Sequence, residues 1–437
     1  MTDVPEARAR IPVLAQLRRL PREAWVVFGS AVALGFTWSG LLDAIVSLYV
    51  VRMGYGPEFV GASSAAANMG YALAALPGAA LATRIGARRG QIVGALGWMA
   101  GLLMVSFADL VPVSWQVVYI IVGRVLAAAG MAVGMVCQQP FLVRVTGETD
   151  RPLAFALMIA LRPVGAALGG MMGGLLPGAL VKLGLGDRLT SLTQPRPYGL
   201  TLALGALVYL PVIWSLLTLP RDDPGWLAQH QDSDAAVVGV ALAGNRGALR
   251  GPMPTLVLAA IGLVCALRVG GEFTARVFFS VHADANLGAT AAQIGTMVAV
   301  SNLLSIPAPL VTPALVRRHG RVSTVAASAM GVALSIGLMT AGGSWATLAL
   351  GFIGLTVLAA AARAVWSLMI QELVEDGWRP ASSAIANLTS GLGTMAASSA
   401  GGLLAARVGY PATFAASAAL VGLGAVTIAL AFRQRVP

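Results

Sequence analysis

A chain of 437 residues that is 57% hydrophobic and only 11% charged, with a mean hydropathy of +0.80, is excluded from the soluble globular class, where about a quarter of residues carry charge. Its net charge of +11 would suit a nucleic-acid binder, but the basic residues are scattered between apolar runs instead of gathered on one stretch. Lipid is the solvent this composition fits.

Twelve apolar runs of about 20 residues or more, the length a spanning helix needs, follow one another along the chain. They lie at 25–51, 58–82, 91–110, 115–138, 152–180, 198–219, 255–282, 290–315, 322–341, 344–370, 381–406 and 411–432. The pattern predicts an all-α membrane protein of 12 transmembrane helices, and the 52 glycines suit close helix packing in lipid. Before the first run stands a long charged segment without a small-residue cleavage pattern, and the run itself exceeds a signal-peptide core, so it is expected to stay in the protein.

Taken in order, the runs hold unusual polar residues. The first contains Asp43 and the second Asn68, and the loop after the second reads ALATRIGARRG with Arg84 and Arg88. The fourth contains Arg124 and Gln138 and is followed by Glu148 and Arg151; the fifth contains Arg162. In the seventh, LRVGGEFTARVFF places Arg268, Glu272 and Arg276 every fourth residue, on one helix face. The eighth contains Asn302 and leads into ALVRRHGRVS with Arg318 and Arg321; the tenth contains Arg363, with Asp376 and Arg379 after it. A charge at the bilayer centre costs at least ~3 kcal/mol on the insertion scale, so such a stripe must face water or partners instead of acyl chains. Cys137 and Cys265 fall inside runs and the three histidines lack ligand spacing, so neither metal nor cofactor is expected.

The chain repeats itself. An offset of 234 aligns MGYGPEFVG (53–61) with LGATAAQIG (287–295), Asn68 with Asn302, Arg84 with Arg318 and Gly86 with Gly320. An offset of 228 aligns ETDRP (148–152) with DGWRP (376–380) and GGLL (173–176) with GGLL (401–404). An even number of runs separates equivalent points, so the copies share one orientation. This predicts two six-helix bundles, 1–220 and 254–437, joined by a polar linker at 221–253. Placing the N-terminus inside puts 19 basic residues on the inner side and five on the outer, so both termini are expected in the cytoplasm.

With twelve spans as six plus six, a long central loop and these two loop motifs, the chain resembles the major facilitator superfamily over essentially its whole length. In the loop motif Leu81, Arg84, Gly86, Arg88 and Arg89 match the family, while Thr83 stands where the family usually has Asp. The resemblance implies a cytoplasmic gate, with Arg84 and Arg88 meeting Glu148 beside Arg151, and Arg318 and Arg321 meeting Asp376 beside Arg379. Arg124 is similar to the family's span-four Arg, whereas Arg162 replaces the glycine of the span-five antiporter pattern. The resemblance also implies that spans one, four, seven and ten line a central cavity, which is where Asp43, Arg124, the seventh-span stripe and Arg363 lie.

At 1.5 Å per residue Asp43, Arg124 and Glu272 all sit ~14–15 Å below the outer side, with Arg162 and Arg363 in a deeper tier. A neighbouring Arg favours an ionised carboxylate and a dry site a protonated one, so Asp43 and Glu272, with Arg124 as partner, are the proton-coupling candidates. Asp43 with Arg124 reads equally as a fixed ion pair fastening two spans. Five deep arginines against two acids favour an anionic or amphiphilic solute held by Arg268, Arg276, Arg363 and Arg162, with Asn68, Asn302 and Gln138 hydrogen-bonding or acting as helix glue. The expected function is proton-coupled efflux of a small organic compound by alternating access, as a monomer in the bacterial inner membrane. The alternatives are a proton symporter or uniporter importing an organic anion, and a non-transporting sensor. An enzyme would need a nucleophile with a base, or a metal cluster, and neither is written here.

Overall fold

The structure is a computed structural model that describes residues 17, 19–184, 191–219, 255–341, 343–374 and 378–432. Twelve helical segments cross it: α1 (Arg22–Arg52), α2 (Pro57–Ile85), α3 (Ala87–Ser106), α4 (Val113–Val145), α5 (Arg151–Leu183) and α6 (Arg196–Thr218) form one six-helix half. The other half consists of α7 (Thr255–Leu287), α8 (Ala291–Ser305 with Ala308–His319), α9 (Arg321–Thr340), α10 (Trp345–Glu372), α11 (Arg379–Arg407) and α12 (Tyr410–Phe432). The predicted linker at 221–253 lies outside the described residues.

Each helix coincides with one predicted run and most extend past it at one end or both, although α3 ends at Ser106, four residues before its run does. α4, α5 and α7 have 33 residues each. That is about 50 Å against a hydrocarbon layer of about 30 Å, so their polar ends project beyond the apolar run that betrays them. α8 bends by 44° at its break, where Pro307 begins the second piece and can donate no helix hydrogen bond.

The duplication is visible in the backbone. Gly54 and Gly288 (φ 92° and 61°), and Gly86 and Gly320 (φ 89° and 80°), turn the chain between α1 and α2, α7 and α8, α2 and α3, and α8 and α9. All four have positive φ, which side chains resist, and the members of each pair stand 234 residues apart.

The halves meet unevenly. α2 packs on α11, α5 on α8 and the second part of α1 on α7. A methyl group on Gly174 would lie 2.8 Å from the Ala291 carbonyl oxygen, and one on Gly402 would lie 2.8 Å from that of Pro57, so only glycine lets these backbones approach. In lipid such packing, more than the removal of apolar surface from solvent, holds helices together. One apolar cluster is shared by both halves. It runs from Leu41 to Val50 in α1 and across to Phe278, Ile294 and Ala405. Two further clusters, around Trp98 and around Trp366, belong to one half each. The molecule is therefore closed at the end that carries Arg52. Toward the end that carries Arg84, neither the first part of α1 nor the second part of α8 packs extensively on the opposite half among the described residues.

Candidate functional site

Asp43 owes its position to an irregular turn that the sequence reading did not foresee. Gly35–Leu42 in α1 is π-helical, and it lies where Gly35 and Gly40 meet the backbone of α5 around Arg162 and Ala166, while Gly165 and Gly169 of α5 meet Val32 and Phe36. Widened turns of this kind re-aim the residues that follow and recur at functional sites. Asp43 is the first residue after it.

From Asp43 an ionic chain crosses the middle of the molecule. Arg276 Nη1 lies 3.8 Å from Asp43 Oδ2, and Arg276 Nε lies 3.6 Å from Glu272 Oε1. The same Glu272 oxygen accepts a hydrogen bond from Arg363 Nη1 at 2.9 Å. The chain thus joins α1 of one half to α7 and α10 of the other. Glu272 is buried, whereas the Arg363 side chain is 55% exposed.

The expected pairing of Asp43 with Arg124 is absent. Arg124 Nη2 donates to Ser64 Oγ at 3.2 Å, because α4 packs on α2 and α3 while it is α7 that approaches this stretch of α1. The two expected tiers also merge, since Arg363 reaches Glu272 directly.

Three deep arginines stand outside the chain. Arg268 is 4% exposed and lies over the Trp366 ring with its guanidinium carbon 5.8 Å from the centroid. The ion pairs of Glu272 are with Arg276 and Arg363, not with Arg268. Arg162 sits on α5 where its backbone meets Gly35 of α1. Arg268 Nε, Arg162 Nε and Arg124 Nη1 are buried and bond to no protein acceptor. Each buried donor left so costs about 1–3 kcal/mol, more for a charged group.

The amides have different places. Asn68 Nδ2 donates to the Ser64 carbonyl of its own helix at 2.8 Å, and Asn302 Nδ2 to Val298 at 2.8 Å and, across the halves, to Ser39 at 3.4 Å. Gln138 Nε2 donates to Ser30 Oγ at 3.1 Å, in a small cleft between α1, α3, α4 and α6 that also holds Gln91, Trp98 and Tyr209. The ionic chain contributes nothing to that cleft's lining.

The expected cytoplasmic gate is undone. Arg88 is buried, with Nε and Nη2 donating to the Leu216 and Leu217 carbonyls at 2.7 and 2.8 Å, where it caps the end of α6. Glu148 and Arg84 are exposed and form no ion pair among the described residues, and Arg151 Nη2 reaches the Val143 carbonyl at 3.4 Å. Arg321 pairs with Glu372; Asp376 and the Arg379 side chain lie outside the described residues, and Arg318 is exposed. With this end open, Arg88, Arg151 and Arg321 each use an acceptor of their own half.

At the closed end Arg52 Nη2 donates to Asp284 Oδ1 at 2.6 Å and Arg52 Nε to the Leu192 carbonyl at 3.1 Å, while Ser47 Oγ donates to the Val277 carbonyl at 3.1 Å. Asp284 was missed by sequence reasoning, although a signal existed. The 234-residue repeat carries Arg52 to within two positions of it, so an acid and a base end symmetry-related helices on the same side.

The Major Facilitator Superfamily model matches residues 24–279 and again 261–437. No curated sequence matches the chain. Among solved structures, a D-xylose-proton symporter is similar with a TM-score of 0.71 at 16% identity over 95% of this chain and 97% of its own. The inward open conformation of the xylose transporter XylE from E. coli gives 0.71 at 13% over 94% and 96%. The nucleoside transporter NupG gives 0.70 at 14% over 94% and 100%. At such identities the likeness is one of fold.

Proposed function

The chain belongs to the major facilitator superfamily, and from that premise we propose that it is a proton-coupled secondary transporter moving a small organic solute by alternating access between its two halves. The observation that carries this reading is the ionic chain Asp43, Arg276, Glu272, Arg363, which ties α1 to α7 and α10 at mid-depth. An ionised Asp43 holds Arg276 across the interface, and a protonated Asp43 does not, so the presence of one proton decides whether the halves are ion-paired there. Glu272 sits between two arginines and is the second candidate carrier. With the imbalance of basic residues setting the termini inside, the Arg52 end faces outward and this conformation opens to the cytoplasm of a bacterial cell, the protein acting as a monomer.

Efflux by antiport, the direction expected from the sequence, has no support among the comparisons, whose proton-coupled protein is named as a symporter. Symport is the reading we adopt. The test is proton flux into dye-loaded proteoliposomes when a panel of anionic, zwitterionic and cationic solutes is added outside. Solute-dependent acidification is expected, and Asp43→Asn should reduce it at least tenfold while leaving solute exchange at equal pH intact. Alkalinisation would establish antiport instead, and wild-type flux in Asp43→Asn would remove that residue from coupling.

A further inference from the structure

The cleft inside the first half, away from the ionic chain, combines buried hydrogen-bond acceptors with very little room. Gln91 of α3 and Gln138 of α4 line it and are only 5% and 6% exposed. Their amide nitrogens have protein partners: Gln91 Nε2 donates to the Cys137 carbonyl at 3.5 Å and Gln138 Nε2 to Ser30 Oγ at 3.1 Å. Neither side-chain carbonyl oxygen accepts a hydrogen bond among the described residues. A buried acceptor left so costs about 1–3 kcal/mol unless something donates to it. Size decides what can. The cleft measures about 40 Å³, whereas a cavity that takes benzene is about 150 Å³ and one water needs at least about 10–15 Å³. An organic solute is too large, and a few waters fit.

We propose that this cleft is an internal hydration site, in which about two to four ordered waters donate to Gln91 and Gln138 and join the first part of α1 to α3 and α4. The packing shows why water belongs there. The first part of α1 packs chiefly on α5 and meets α4 sparsely. Its residues Ser30 and Leu34 line the cleft, and the π-helical turn begins at the next residue, Gly35. The opposite wall is rigid, because α3 and α4 touch through Gly94 and Gly130, where an added carbon would strike the main chain of the other helix. Between a rigid wall and an irregular helix, side chains leave a gap that water can follow. A bridging water is nearly as favourable as a direct hydrogen bond, and it re-forms its bonds when the groups on either side shift. The waters thus keep α1 with its own half without fixing its register against α4.

The test is X-ray radiolysis of the full-length protein in detergent, read by mass spectrometry. Radiolysis turns bound water into hydroxyl radicals in place, and these oxidise the methionines beside it. Met131 is 8% exposed and lines the cleft, while Met158 is 5% exposed and lies in the same half away from it. Met131 is expected to oxidise at least tenfold faster than Met158. Gly134→Ala adds a methyl group to the cleft wall with no atom nearer than 3.9 Å, so the variant should fold, occupy part of the space and slow Met131 at least threefold. The double variant Gln91→Leu with Gln138→Leu removes both acceptors and should bring Met131 down to the rate of Met158. Thermal midpoints establish that each variant is folded, and should the double variant not fold, Gly134→Ala alone decides. Equal rates for Met131 and Met158 in the wild type would overturn the proposal. So would a fast Met131 that ignores Gly134→Ala, since its water would then come from the bulk.

Discussion

The two ends of the interface between the halves use the same kinds of residue in opposite ways. At the Arg52 end, glycine-lined backbones touch, one apolar cluster runs through both halves, and the Arg52–Asp284 pair joins α1 to α7. Toward the Arg84 end each half keeps its own apolar cluster, and its arginines find acceptors at home, Arg88 on the last carbonyls of α6 and Arg321 on Glu372. Closure is thus built mainly from packing, with ion pairs as a secondary layer. Charges serve to hold whichever surface is not packed. If that ordering is right, disturbing the backbone contact should matter most, the inter-half ion pair less, and the within-half pairs least.

The largest effect is expected from Gly174→Leu. A side chain there meets the Ala291 carbonyl oxygen and the Gly295 backbone within 3 Å, and both are main-chain atoms that cannot turn aside. Overpacking of this kind costs about 1–3 kcal/mol or more, enough to depopulate the closed Arg52 end by about fivefold to more than a hundredfold. Spin labels replacing the exposed Glu58 and Arg407, at that same end, should report a longer distance, and transport should fall to background. Gly178→Leu is the control one turn away, since no atom lies within 4 Å of its added carbon. Equal effects at both positions would mean that α5 tolerates no bulk anywhere and would break the contrast between the ends.

How much of this was open to a reader of the sequence follows from where each feature gets its physics. The twelve helices and the duplication depend on local composition and on turn glycines, so Gly54 with Gly288 and Gly86 with Gly320 were legible as a repeat before any coordinates. That the seventh-span charges would meet partners was legible too, because lipid forbids the alternative. Partner identity was not. Asp43 reaches Arg276 and not Arg124 because a π-helical turn re-aims it and because α7 comes closer than α4, and both depend on glycine contacts between α1 and α5 that no periodicity announces. The pairing of Arg84 and Arg88 with Glu148 is unformed for a related reason. Arginines at helix ends can choose among carboxylates and free carbonyls, and which they meet depends on which end of the transporter is open.

An intermediate effect is expected from Asp284→Asn. The two side chains of the pair with Arg52 are 22% and 18% exposed, so the attraction is partly screened and is worth about 1 kcal/mol or less. Arg52 also keeps its bond to the Leu192 carbonyl. The same spin-label pair should show the closed population reduced by up to about fivefold, with the loss recovered in the double variant Arg52→Asp with Asp284→Arg. Raising salt should shrink the wild-type advantage at this end. A change as large as that of Gly174→Leu would reverse the proposed order, making electrostatics the main lock.

The smallest effect is expected from Glu372→Gln, and it is the sharpest test of the claim that charges at the open end serve their own half. Arg321 and Glu372 are 42% and 39% exposed and both belong to the second bundle, so solvent already competes for each of them. Removing the carboxylate should alter thermal stability by less than about 0.5 kcal/mol and leave the label distance at the Arg52 end where it was. If Arg321 instead exchanges Glu372 for an acceptor on the other half whenever the Arg84 end shuts, freeing it would favour that shut state, and the closed population at the Arg52 end would fall. A silent variant keeps the two ends distinct, and a responsive one makes Glu372 the residue that restrains Arg321 between openings.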